Sequence, residues 1–177
     1  MRRLAGVTGA ETDGGHGPAT LETMAEHGVL ADPEAVRRIV LETGHTAALP
    51  VLHRLVVALR ERERRDAPRA DQWLVARGAA HQVLAERGSR VALYDARETL
   101  ESNREPVPLG MLTALTLVGD RSCLEAIGHR LGTTGDGWLR EHLVAAARAI
   151  AARERLTARQ AAVKRLLARY PALGEAL

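Results

Sequence analysis

In DGWLREHLVAAARAIAARER, which begins at Asp136, the apolar residues Leu139, Leu143, Ala146 and Ile150 recur at steps of three and four. That spacing stacks them on one face of a helix, with Arg140, Glu141 and Arg148 largely on the others. The same periodicity, broken at short intervals, runs from Pro18 onward. It predicts helices over about 19–27, 33–43, 47–65, 71–87, 90–102, 107–118, 121–131, 137–155 and 158–170. No segment sustains the period-two alternation of a half-buried strand. An all-α fold of about nine helices follows.

Several predicted starts carry their own chemistry. Asp32 stands before Pro33, so a carboxylate can accept from free backbone N–H groups while proline loses nothing in the first turn. Thr157 followed by Gln160 fits a capping box, and Asp71 and Asp136 are read as caps before tryptophan-bearing helices. The stretch from Pro106 to Gly119 has no charge. Leu109, Met111, Leu112, Leu115, Leu117 and Val118 surround its axis, which predicts a helix buried on every side. It is too short to cross a bilayer.

Four of the starts resemble one another: DPEAVRRI from Asp32, HTAALPVL from His45, SRVALYDA from Ser89 and DRSCLEAI from Asp120. Each places a small residue (Ala35, Ala48, Ala92, Cys123) before a larger aliphatic (Val36, Leu49, Leu93, Leu124). Ile39, Leu52, Ala96 and Ile127 follow three positions on. Three copies come directly after a glycine, at Gly44, Gly88 and Gly119, as expected of a sharp turn that uses positive φ. The Asp32 and His45 copies stand too close together to belong to successive repeats, so either one of them is coincidental and out of register or the first helix pair is irregular. Cys123, the single cysteine, fills a slot that alanine fills elsewhere, and reads as a packing residue rather than a reactive thiol.

The segments ERGSRVALYDARETL, LTLVGDRSCLEAIGHRLG and DGWLREHLVAAARAIAARERLTARQAAVKRL resemble the HEAT-repeat family, in particular the short bacterial type called lyase-like HEAT repeats. The likeness covers about residues 33–170. It implies a right-handed α-solenoid of stacked antiparallel helix pairs, in which each pair covers the apolar face of the next. The second helices, here about 90–102, 121–131 and 158–170, would line the concave face. Residues 1–17, rich in glycine, are expected to be a flexible leader, with 18–177 as one solenoid domain.

Composition narrows the chemistry. The chain is 46% hydrophobic but only 2% aromatic, with no phenylalanine, so its core is built from Ala, Leu and Val. A sequence pI near 9.7 would point to nucleic acid, yet 25 basic against 22 acidic residues leave a net charge of only +3. Neither a membrane span nor a signal peptide is apparent, and one cysteine cannot close an internal disulfide, so a cytoplasmic setting is expected. The seven histidines show no metal-site spacing and are read as scattered helix-surface residues. RERERRD, from Arg60 to Asp66, reads as a solvated helix end. No cofactor, metal or catalytic constellation is expected, and the chain is read as non-catalytic.

Two binding functions remain. The first is a protein–protein interaction scaffold that presents Tyr94, Arg97, Glu101, Glu125, His129 and Arg130 on the concave face, where mixed charge suits a polar protein partner. The alternative is nucleic-acid binding through the arginine-rich C-terminal helices, with Arg155, Arg159, Lys164, Arg165 and Arg169 on phosphates. Trp73 and Trp138 could stack on bases in that version, but each is read as filling a groove between helices.

Overall fold

A computed structural model describes residues 20–28, 31–103 and 105–177. The expected leader, 1–17, lies outside the described residues. Nine α-helices account for most of the described residues: α1 Leu21–His27, α2 Pro33–Thr43, α3 Leu49–Arg65, α4 Ala70–Glu86, α5 Leu93–Glu101, α6 Leu109–Val118, α7 Leu124–Thr133, α8 Gly137–Arg153 and α9 Ala161–Arg169. Short 3-10 turns occupy Ala67–Arg69, Arg121–Cys123 and Pro171–Glu175, and there is no strand among the described residues.

Caps explain many of the boundaries. Asp32 accepts from Glu34 N and Ala35 N, and Asp136 from Trp138 N and Leu139 N. Asp71 does not cap. Helix α4 begins one residue earlier, after the 3-10 turn, and the carboxylate that organises the entry is Asp66, which accepts from Trp73 Nε1 at 2.9 Å. At α9 the Thr157 N–H reaches Gln160 Oε1 at 3.4 Å, but the Gln160 N–H donates to the Thr157 backbone carbonyl and Gln160 itself is the N-cap, so only the glutamine half of the expected capping box forms, one turn ahead of the helix.

The even-numbered helices form one packed series, α2 on α4, α4 on α6 and α6 on α8. Among the odd-numbered helices α1 packs on α3, α5 on α7, and α7 on the final 3-10 turn. Helices α4 and α6 meet backbone against backbone. A Cβ on Gly78 would sit 2.5 Å from Pro108 Cβ, and one on Gly110 would collide with the Gly78 carbonyl. Two apolar clusters meet across α4, with Trp73 on one side and Leu74 on the other. Helix α6 has a wet edge after all: Met111, Leu112, Leu115 and Val118 are buried, but Leu109 and Leu117 are 56% and 46% exposed.

The repeated starts are partly structural. Ala48, Ala92 and Cys123 all stand at the N-cap of a helix, α3, α5 and α7, and none makes a side-chain cap hydrogen bond. Ala92 and Cys123 are buried there, but Ala48 is exposed and its neighbour Ala47 is the buried residue, so the packing slot is shared by two copies and not three. Ala35 lies inside α2, so the Asp32 copy is the one out of register. Of the three glycines only Gly88 uses positive φ, +71°. Gly44 and Gly119 have φ of −63° and −53°. They are small for lack of room: a Cβ would meet Val40 O at 2.5 Å in the first case and Ile150 Cδ1 at 3.0 Å in the second.

Candidate functional site

The six residues expected on one face divide five to one. Tyr94, Arg97 and Glu101 lie on α5, and Glu125 and His129 on α7, all at least partly exposed. Arg130 is not a surface residue. It is 2% exposed and donates to Glu105 Oε1 at 2.7 Å and Asn103 Oδ1 at 3.3 Å, tying α7 to the segment that leads into α6. A step of one residue turns a helix by about 100°, and that carries Arg130 off the face that His129 occupies. His129 Nε2 accepts from Asn103 Nδ2 at 3.1 Å, while Tyr94 hydrogen-bonds His53 Nε2 at 3.2 Å across to α3.

Three of these residues meet the basic C-terminal set. Glu101, Glu125 and His129 line a small cleft of about 240 Å³ together with Arg169 and Tyr170. Arg169 bonds Glu125 Oε2 at 3.3 Å. Glu125 and Arg169 also line a larger neighbouring cleft of about 380 Å³ between α7 and α9. Leu124 and Val163 are buried there, Leu156 and Leu166 are half-buried, and Arg121 and Arg165 are exposed around them. The expected polyanion set is therefore divided: Arg165 and Arg169 line the cleft, whereas Arg155, Arg159 and Lys164 are exposed outside it. Arg159, Lys164 and Arg165 make no ion pair among the described residues.

The largest assembly of ionisable groups was not foreseen and lies inside the fold. Arg77 of α4 donates to Glu63 Oε2 of α3 at 3.0 Å, to Asp95 Oδ2 of α5, and to Thr99 Oγ1 at 3.0 Å. His81 Nε2 lies 2.8 Å from the same Asp95 oxygen, and Arg60 reaches Asp95 Oδ1 at 3.0 Å. Glu63, Arg77, His81, Asp95 and Thr99 are all buried. Burial pushes the Asp95 carboxyl up, but the His81 hydrogen bond and the Arg77 charge outweigh it and hold it down to about 2. His81 is thus no surface histidine, and Glu63 sits buried within the stretch expected to be solvated. One sequence signal was available: Arg77 and His81 are four apart in a helix apolar nearly all round, so their shared face had to meet a buried carboxylate.

Cys123 is fully buried, and burial raises its thiol pKa, which disfavours a nucleophile. Trp73 fills an interhelical groove, whereas Trp138 is 46% exposed and lies against His142 with ring centroids 4.2 Å apart. Among the described residues, no three His, Cys, Asp or Glu side chains are placed to hold a metal ion, and no helix is long and apolar enough to cross a membrane. Comparison with known proteins finds no matching family model, no matching curated protein and no matching solved structure. Fold and surface together define a class: an all-helical protein with a mixed-charge surface over α5 and α7 and an adjoining cleft against α9.

Proposed function

We propose that the chain is a short right-handed α-solenoid of the HEAT type and acts as a non-catalytic scaffold, holding a protein partner on the face formed by α5, α7 and α9. The serial packing α2–α4–α6–α8, and the common placement of Ala48, Ala92 and Cys123 at the starts of α3, α5 and α7, support the repeat reading. The observation that carries the binding reading is the pair of adjoining clefts that share Glu125 and Arg169. Across the two clefts the acids Glu101 and Glu125 stand among arginines and apolar side chains, as on a polar protein interface; a polyanion track would be of one sign. The proposed setting is the cytoplasm, where a lone buried thiol needs no disulfide partner.

A photo-cross-linking amino acid at position 129, compared with the same group at the exposed Ala145 of α8, tests this reading in a lysate of the cells that make the chain. Protein adducts specific to position 129 are expected. Nuclease-sensitive adducts would transfer the function to the nucleic-acid alternative, and equal adducts at both positions would remove the α7 face from consideration.

A further inference from the structure

We infer that the cleft between α7 and α9 takes an acidic protein segment anchored by a bulky aliphatic side chain. This rests on the scaffold reading and specifies the partner's chemistry. The buried Leu124 and Val163 give the cleft an apolar floor that water solvates poorly. Its rim carries Arg121, Arg165 and Arg169 against the single acid Glu125, so the lining is net positive. Arg169 is engaged by Glu125 at 3.3 Å and Arg121 lies 4.0 Å from Glu154, while Arg165 has no ion pair among the described residues. An apolar floor under a basic rim complements an occupant that is apolar at its centre and anionic around it.

Shape separates the possible occupants. A volume of about 380 Å³ receives a bulky anchor side chain together with part of the segment that carries it. Duplex DNA offers phosphates to the rim but nothing to seat on the apolar Leu124 and Val163.

The test uses the full chain and a fluorescein-labelled acidic peptide of roughly a dozen residues with leucines at helical spacing, read by anisotropy at low salt. The leucine peptide is expected to bind, and its Leu→Ser counterpart to bind at least tenfold more weakly. The double substitution Arg121→Glu and Arg165→Glu should weaken binding at least tenfold. Ala162→Trp, which fills the cleft from an exposed position without changing charge, should do the same. Thermal melts matching the unsubstituted chain exclude unfolding as the cause. No binding of the leucine peptide, equal binding of the serine peptide, or more effective competition by duplex DNA of equal charge would overturn the inference. If the peptide fails while position 129 still cross-links a protein, only the acidic aliphatic segment is lost; if both fail, the scaffold reading falls too.

Discussion

Gly88 and Arg155 occupy the same place in two helix-ending turns. Both have left-handed backbone, φ +71° and +52°, and each turn closes with a six-to-one hydrogen bond of 2.9 Å, Ser89 N to Leu84 O and Leu156 N to Ala151 O. Glycine accepts that conformation freely; an arginine is held in it by the turn.

Arg155→Gly should therefore stabilise the fold by about 0.5–1 kcal/mol, while Gly88→Ala, which would meet nothing within 4 Å, should destabilise it by a similar amount through backbone strain alone. Urea unfolding of the two variants checks both signs. If Arg155 also contacts phosphate, the glycine variant should reduce the salt dependence of DNA binding, which the scaffold reading does not require.

Acid unfolding should report Asp95. Its folded carboxyl titrates near 2 against an ordinary 3.8, so the unfolded chain takes up that proton first. The ionised group consequently favours the fold above pH about 4, and the contribution, about 2 kcal/mol, is lost as pH falls from about 4 through 2. Asp95→Asn should flatten this part of the pH–stability profile. At neutral pH it should also destabilise by about 3 kcal/mol, because Arg77 and His81 stay buried facing a weaker acceptor. An unchanged profile would mean that other carboxylates govern acid unfolding.

Substitutions in α6 should separate its two edges. Leu112→Asp or Leu115→Asp buries a charge without a partner and should unfold the chain, whereas Leu117→Asp, at a position 46% exposed, should change stability by less than about 1 kcal/mol. Circular dichroism melts distinguish the outcomes, and a Leu117→Asp variant as damaged as Leu115→Asp would place that edge in contact with something.

Cys123→Ala should be nearly neutral, within about 1 kcal/mol, because alanine already serves at the equivalent buried Ala92. Cys123→Leu should destabilise by about 1–3 kcal/mol through overpacking at a fully buried site. The native thiol should also resist a water-soluble disulfide reagent until the chain unfolds. Rapid labelling in the folded state would contradict its burial.

Most helix positions were legible in the sequence because a helix is held by hydrogen bonds four residues apart and announces its buried face within one or two turns. Asp32 and Asp136 marked their helices for the same local reason. Less could be read of the surface site. Glu101, Glu125 and His129 were placed on the correct helices, but their meeting with Arg169 depends on how α9 returns across α7. Arg130, one residue from His129, faces inward because of Asn103 and Glu105, which belong to another stretch of chain.

By itself the sequence determined an all-helical chain, the approximate bounds of its helices, and the small buried slot shared by Ala92 and Cys123. Only the tertiary structure decided that Arg77, His81 and Asp95 share one buried network, that Gly78 and Gly110 bring α4 and α6 into backbone contact, and that α7 and α9 leave an apolar cleft with a basic rim. Helix formation is a property of near neighbours, whereas a charge's partner or a glycine's need for space is set by residues remote in the chain. Position along the sequence carries no direct record of that proximity.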